Sequence, residues 1–154
     1  MSSRNTVVRS LHDLGAAAWF GGSLMGAVGV NGAAAAVQDP KERAKIAAVG
    51  WGKWAPVSFV AMGAHLIGGA GILRANKGRA KNQEGVTANT VTKLILTGAA
   101  VGATFYSGAL GAKTAQGDGH SVAGATEPTA ATPDDVAAAP VSYTHLTLPT
   151  ILLV

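Results

Sequence analysis

Three long stretches of the chain contain no charged residue, and charged positions bound each of them on both sides. A helix needs about 20 predominantly apolar residues to cross the hydrocarbon core of a bilayer, and each stretch is about that long. The charge-free stretches run from Leu14 to Gln38, from Ala55 to Leu73 and from Leu94 to Ala112. The pattern therefore predicts three transmembrane helices, over about 14–36, 55–73 and 94–112.

A helix-start signal lies between the first two stretches. Asp39 carries a carboxylate that accepts backbone hydrogen bonds, and Pro40 suits the first helical position, where its missing N–H is not needed. This predicts a short interfacial helix over about 40–49, at the level of the lipid headgroups. Trp51 and Trp54 follow at the edge of the second span, where indoles favour the boundary between membrane and water.

The chain changes character outside the predicted membrane domain of 14–112. Residues 1–13 form a polar N-terminal segment, and 113–131 has the Gly, Ala, Ser, Thr and Pro content typical of a flexible loop. At 132–140, a capping Thr132 followed by a proline and two acids predicts the start of another helix. We expect this helix to be a fourth membrane span that is cut short in this chain.

The end of the chain resembles translated adapter sequence rather than natural protein. Residues 141–150 spell VSYTHLTLPT, which resembles the translation of a transposase-type sequencing adapter. Read-through of the same adapter also accounts for 151–154 and for the position of the stop. We therefore exclude 141–154 from the fold and expect the natural protein to be longer.

The composition fits a membrane location and excludes several kinds of functional site. Hydrophobic residues make up 48% of the chain and charged residues 13%, whereas an average soluble domain is about 25% charged. There is no cysteine, so a disulfide scaffold, a thiolate metal site and a cysteine nucleophile are excluded. The net charge of +4 comes from basic residues in short segments, which suits membrane topology better than nucleic-acid binding.

The basic residues also predict an orientation. The N-terminal segment and the connection between the second and third spans share one side and hold seven Lys and Arg, against five on the other side. The excess of basic residues in membrane proteins lies in the cytoplasmic segments. We therefore expect a multi-pass protein of the bacterial plasma (inner) membrane with a cytoplasmic N-terminus.

Small residues recur at helical spacing in all three predicted spans, where they let membrane helices approach closely. The candidates are Gly22 and Gly26 in the first span, Ala64 and Gly68 in the second, and Gly98, Gly102, Ala103, Ser107 and Gly111 in the third. We expect these stripes to pack the helices of one chain together. The alternative is that they join two copies of the chain, or this chain and another membrane protein.

His65 is the only ionisable side chain near the middle of a predicted span, and lipid offers it no partner. In a structural interpretation its imidazole bonds to a hydroxyl of the third span, which offers Thr97, Thr104, Tyr106 and Ser107. In a functional interpretation it is a haem or metal ligand or a step in a proton path. His12, the other metal-ligand candidate, begins the first span. We expect the two histidines to differ by about 10 Å in depth, which disfavours joint ligation of one iron.

Three segments carry a family resemblance. The stretches Arg9–Gly26, Trp54–Pro56 and Ala64–Gly71 resemble a family of small actinobacterial integral membrane proteins to which no activity is assigned. The resemblance covers 1–139 and implies a four-span protein. The pattern of His12, Gly15 and Trp19-Phe-Gly-Gly is also loosely similar to the copper-resistance D type of membrane protein, over one helix.

The sequence therefore predicts an all-α integral membrane helical bundle with three transmembrane helices and a short interfacial helix. It contains no nucleophilic or acid–base constellation, so we expect a non-enzymatic structural or accessory membrane component that needs no cofactor. Its expected partners are the lipid bilayer and a second copy or another membrane protein, with no nucleic acid. The alternative is a metal- or haem-linked transport or redox protein that uses His65.

Overall fold

The computed structural model describes residues 3–82, 85–116 and 120–130, together with 132, 134 and 137. Across these residues the chain is all-helical, as predicted, and its β-structure is limited to one isolated bridge. The predicted helix start over 132–140, apart from three isolated positions, and the adapter-like tail over 141–154 lie outside the described residues. The helical elements are α1 (Ser3–Met25), a π-helical turn (Gly26–Val30), α2 (Asn31–Ala35), α3 (Pro40–Asn82) and α4 (Val86–Gln116).

The first helical stretch is longer than the span predicted over 14–36. It begins at Ser3 and continues through the π-helical turn and α2 to Ala35 without a break. The added residues form about three turns before the charge-free stretch. Arg9 and Asp13 lie in these turns as exposed side chains, because a helix can carry charges on the side that does not pack.

α3 runs for 43 residues from Pro40 to Asn82. Asp39 caps it as predicted, since the backbone N–H of Lys41 donates to Asp39 Oδ1 at 2.9 Å. The structure does not separate the short helix predicted over about 40–49 from the second span. Both belong to α3, because Pro56 removes only one backbone donor and the helix continues through it.

A short connection leads from α3 to α4. Gly85 has a φ of +81°, in the left-handed region that side chains disfavour. Its carbonyl oxygen accepts a hydrogen bond from the N–H of Asn89 at 3.0 Å. α4 then runs from Val86 to Gln116 and includes the whole span predicted over 94–112.

Two of the described helices are long and apolar enough to cross a membrane, over Pro40–Gly78 and Val86–Lys113. Large apolar side chains of both face away from the bundle, and Ile67 and Ile95 are 67% and 66% exposed. Small residues make up most of the buried core. One cluster joins Trp19, Ala61, Met62 and Ala100, and a second joins Ala34, Ala47 and Ala125.

Residues 120–130 form a compact loop against the N-terminal end of α3. The guanidinium of Arg43 donates to the carbonyl oxygen of Ala123 at 2.7 Å and thereby ties the loop to the helix. The flexible loop predicted over 113–131 is thus divided in two. Its first part extends α4 to Gln116, and its later part is held by charge-assisted hydrogen bonds.

Candidate functional site

α1 and α3 cross closely because each presents a glycine to the backbone of the other. A Cβ on Gly15 would lie 2.5 Å from the backbone nitrogen of His65 and 2.7 Å from the carbonyl oxygen of Ala61. A Cβ on Gly68 would likewise collide with the backbone of His12. Any side chain at either glycine would push the helices apart, so this crossing depends on both.

A histidine stands three residues before each of these glycines, so His-x-x-Gly occurs once on each helix. The helices are antiparallel here, which places the two histidines side by side. The imidazoles of His12 and His65 are stacked, with their ring centroids 4.0 Å apart and their planes 19° from parallel. We call these two residues the histidine pair.

The histidine pair is cross-linked by reciprocal hydrogen bonds. Nδ1 of His12 lies 3.0 Å from the carbonyl oxygen of His65, and Nδ1 of His65 lies 3.1 Å from the carbonyl oxygen of His12. A carbonyl oxygen only accepts, so both Nδ1 atoms carry the proton. In the neutral rings the lone pair therefore resides on Nε2.

His65 is enclosed and His12 is half-buried. His65 is 9% exposed and lies between the His12 ring and the indole of Trp19, whose centroid is 6.1 Å from that of His65. Trp19 is itself only 1% exposed, and it reaches across to Ala100 of α4. The histidine pair is therefore continuous with the central core cluster.

The predicted depth difference between His12 and His65 is wrong. It assumed that the first span begins at the first charge-free residue, Leu14, whereas α1 begins at Ser3 and places His12 well inside a helix. The expected partners of His65 on the third span were also wrong. Its Nδ1 bonds to α1, while the hydroxyl of Thr104 donates within α4 to Ala100 at 2.9 Å.

The small residues predicted to pack the helices fall into two groups. Gly22 and Gly26 receive the indoles of Trp54 and Trp51, and Gly68 meets the α1 backbone, with Ala64 half-buried beside it. On α4, Ala103, Ser107 and Gly111 are buried or half-buried, but a Cβ on Gly98 or Gly102 would meet no atom within 4 Å. The predicted stripe on α4 is thus only partly covered.

Sequence analysis missed Gly15 as a packing residue. The signal that could have found it is the repetition of His-x-x-Gly, His12 to Gly15 and His65 to Gly68, on two neighbouring predicted helices. A repeat of this kind on antiparallel helices places each glycine opposite the other histidine. The GxxxG pattern alone could not distinguish this crossing from the open positions of α4.

Two cavities adjoin the helices. The larger, about 820 Å³, lies beside the histidine pair between α1, α3 and α4. The smaller, about 380 Å³, lies between the N-terminal half of α3 and the C-terminal half of α4, where Ser58, Thr104 and Ser107 line it. Both His12 and His65 line the larger cavity, so it is the one that belongs to the candidate site.

Few side chains beside the larger cavity could ligate a metal ion. Among the described residues there is no group of three or more His, Asp or Glu that could hold a metal ion. A haem held by two histidines needs both Nε2 atoms directed at the iron from opposite faces of the macrocycle. Rings stacked 4.0 Å apart leave no space for a macrocycle between them, so this arrangement does not fit such a haem.

Comparison of the chain with protein-family models, curated proteins and solved structures found no match. The resemblance to an actinobacterial membrane family therefore stays a prediction. The candidate site is defined by its own geometry: two close glycines, the histidine pair and the cavity beside them.

Proposed function

We propose that this chain is an integral membrane protein in which α1, α3 and α4 all cross the bilayer. The two long apolar helices support this proposal, as do the outward-facing side chains of the first helical stretch, where Leu14, Met25 and Val28 are each about two-thirds exposed. Such a surface would be costly in water and suits hydrocarbon. The basic side chains Arg9 and Lys93 favour a cytoplasmic location for their end of the bundle.

Within this setting, the protein is a non-enzymatic structural or accessory component. The observation that carries this proposal is the reciprocal bonding of the histidine pair. Each imidazole uses its N–H to hold the opposite helix, which is how polar side chains stabilise helix pairs in lipid. The α1–α3 pair is then a rigid unit on which partner helices can assemble, and the open side of α4 is available to them.

Membrane insertion can be tested by cysteine labelling, because this sequence contains no cysteine that would react. Single replacements Thr6→Cys and Asn89→Cys should react with an impermeant maleimide from one side of sealed vesicles, and Gln38→Cys should react from the other. Ile67→Cys and Ile95→Cys should react from neither side. Labelling of Ile67→Cys as fast as Gln38→Cys in intact vesicles contradicts insertion of α3.

The structural role of the histidine pair can be separated from a metal role by two substitutions at one site. Asparagine places its amide N–H close to the position of Nδ1 but has no counterpart of Nε2. We therefore expect His65→Asn to keep most of the stability in detergent. We expect His65→Leu to lose about 1 kcal/mol, because the carbonyl oxygen of His12 loses the bond from Nδ1 while His12 still donates to the backbone carbonyl of position 65. The measurement is thermal or denaturant unfolding in a mild detergent.

A metal-linked function is the second candidate, and one observation favours it. A histidine that ligates a metal commonly donates its other ring N–H to a carbonyl, as both members of the histidine pair do. Metal analysis and the absorbance of the purified protein decide between the candidates. Stoichiometric metal that is lost in His65→Asn without loss of stability contradicts the structural proposal.

A further inference from the structure

The larger cavity has the size and position of a ligand site. Its volume of about 820 Å³ lies within the range of about 300–1,000 Å³ that small-molecule pockets occupy. α4 packs mainly against α3, so the space between α1 and α4 is left open on one side. Trp19 and Ala100, which belong to one core cluster, line its inner end.

The mouth of this cavity is cationic. Arg9 of α1 and Lys93 of α4 both line it and are exposed, and Asp13 is the acidic side chain among the lining residues. In the part of the chain that the structure describes, neither Arg9 nor Lys93 forms an ion pair. Two basic side chains from different helices thus remain available to one anion.

The wall of the cavity is mostly aliphatic. Leu66, Ile72 and Leu73 of α3 and Leu94 of α4 line it, together with the histidine pair. The distance along α1 from Arg9 at the mouth to Trp19 at the inner end is about 15 Å, because an α-helix rises 1.5 Å per residue. The site is therefore cationic at its mouth and has a mostly aliphatic wall over a length that suits a hydrocarbon chain.

The C-terminal loop lies far from this mouth. Residues 120–130 are held by Arg43 at the N-terminal end of α3, whereas Asn76 lines the mouth near the other end. The 33 positions between Arg43 and Asn76 along α3 correspond to about 50 Å. The described loop does not cover the cavity, which leaves it open to the surrounding lipid.

From this arrangement we infer that the cavity binds an anionic phospholipid, with its phosphate between Arg9 and Lys93 and an acyl chain lying between α1 and α4. The inference rests on the membrane insertion proposed above. Basic pockets between membrane helices recognise anionic headgroups, and a zwitterionic headgroup lacks the net charge to match two cations.

The test compares binding of short-chain phosphatidylglycerol and phosphatidylcholine to the purified protein in detergent, measured by native mass spectrometry. The wild type should retain phosphatidylglycerol selectively. Replacing both cations, Arg9→Gln with Lys93→Gln, should weaken its binding about thirtyfold, because each basic residue near the membrane surface contributes about 1 kcal/mol.

A matched control removes two charges at the same end without touching the cavity. Arg74→Gln with Lys77→Gln should leave phosphatidylglycerol binding within about twofold of wild type, since neither residue lines the cavity. An equal loss in both double variants overturns the site and leaves only diffuse attraction to a basic surface.

The placement of the acyl chain is tested by filling the larger cavity with a bulky side chain. Ala70→Phe, at an exposed position that lines the cavity, should abolish selective lipid binding, whereas Ala75→Phe, which is exposed outside the cavity, should not. Glycerol 3-phosphate carries the anion without a chain and should not compete with the lipid. Competition by glycerol 3-phosphate, or full binding in Ala70→Phe, contradicts the placement of the acyl chain.

Membrane extraction with alkaline carbonate distinguishes a failure of the lipid site from a failure of the proposed membrane insertion. Release of the wild-type protein into the supernatant contradicts membrane insertion itself. A protein that stays in the membrane but retains both lipids equally contradicts the lipid site alone.

Discussion

The two interfaces that α3 makes, with α1 on one side and with α4 on the other, are built differently. At the α1–α3 crossing, Gly15 and Gly68 bring the two backbones into contact and the histidine pair bonds across it. On α4, a Cβ on Gly98 or Gly102 would meet no atom within 4 Å in the described part of the chain. Equal richness in glycine thus accompanies one tight interface and one loose interface.

Polar side chains also differ between the two interfaces. The histidine pair satisfies each ring from the opposite helix, whereas Thr104 of α4 donates to the carbonyl of Ala100 in its own helix. Ser107 is 8% exposed, and within the described part of the chain its hydroxyl has no hydrogen-bond partner. A stripe of small residues permits two helices to approach closely. Polar groups that bond across the stripe determine which stripe forms the contact.

The largest expected effect comes from adding one methyl group to a glycine on each side of this comparison. Gly68→Ala places a Cβ against the backbone of His12 and Val8, so the helices must separate; we expect a loss of about 2–3 kcal/mol in unfolding free energy. Gly102→Ala meets no atom and should raise stability by about 0.5–1 kcal/mol, because alanine favours the helix.

Unfolding of both alanine variants in the same detergent provides the measurement. Opposite signs confirm that only the α1–α3 interface is packed backbone to backbone. If both substitutions destabilise the protein equally, α4 has a neighbour that covers Gly102, and the contrast between the two interfaces disappears.

The sequence was sufficient for the features that depend on local rules. Helices over the second and third charge-free stretches and the cap at Asp39 follow from residues a few positions apart, and the structure contains them. The first span is predicted to begin at 14, directly after Asp13, whereas α1 begins at Ser3. A charge limits membrane immersion, but it does not end a helix.

The candidate site depended on relations between helices that no local rule supplies. The partner of His65 is set by the register of α1 against α3. Gly15 and Gly68 fix this register, and it brings together His12 and His65, which are 53 positions apart in the chain. The cationic mouth joins Arg9 to Lys93, which no spacing within one helix relates. The repeated His-x-x-Gly is the one local signal that could have indicated which faces meet, and it was not used in the prediction.

An intermediate effect is expected from Trp51 and Trp54 of α3, whose indoles fill the space beside Gly26 of the π-helical turn and Gly22 of α1. Trp51 Nε1 donates to Asn31 Oδ1 at 2.8 Å, whereas the buried Nε1 of Trp54 has no partner among the described residues. Each Trp→Phe change removes the same volume, so we expect Trp51→Phe to be the more destabilising by about 1 kcal/mol, the contribution of the hydrogen bond. Equal losses in thermal unfolding would show that this bond adds nothing to the packing of α2 against α3.

The smallest effect is expected on α4, from removal of the hydroxyl of Ser107. Because this buried oxygen has no partner in the part of the chain that the structure describes, Ser107→Ala should leave stability unchanged or raise it by up to about 1 kcal/mol. Thr104→Ser, which keeps a hydroxyl able to bond within α4, serves as the control. A loss above about 1 kcal/mol in Ser107→Ala, measured by unfolding in detergent, would mean that Ser107 is bonded across the smaller cavity, and α4 would then be fixed by polar contacts as α1 is.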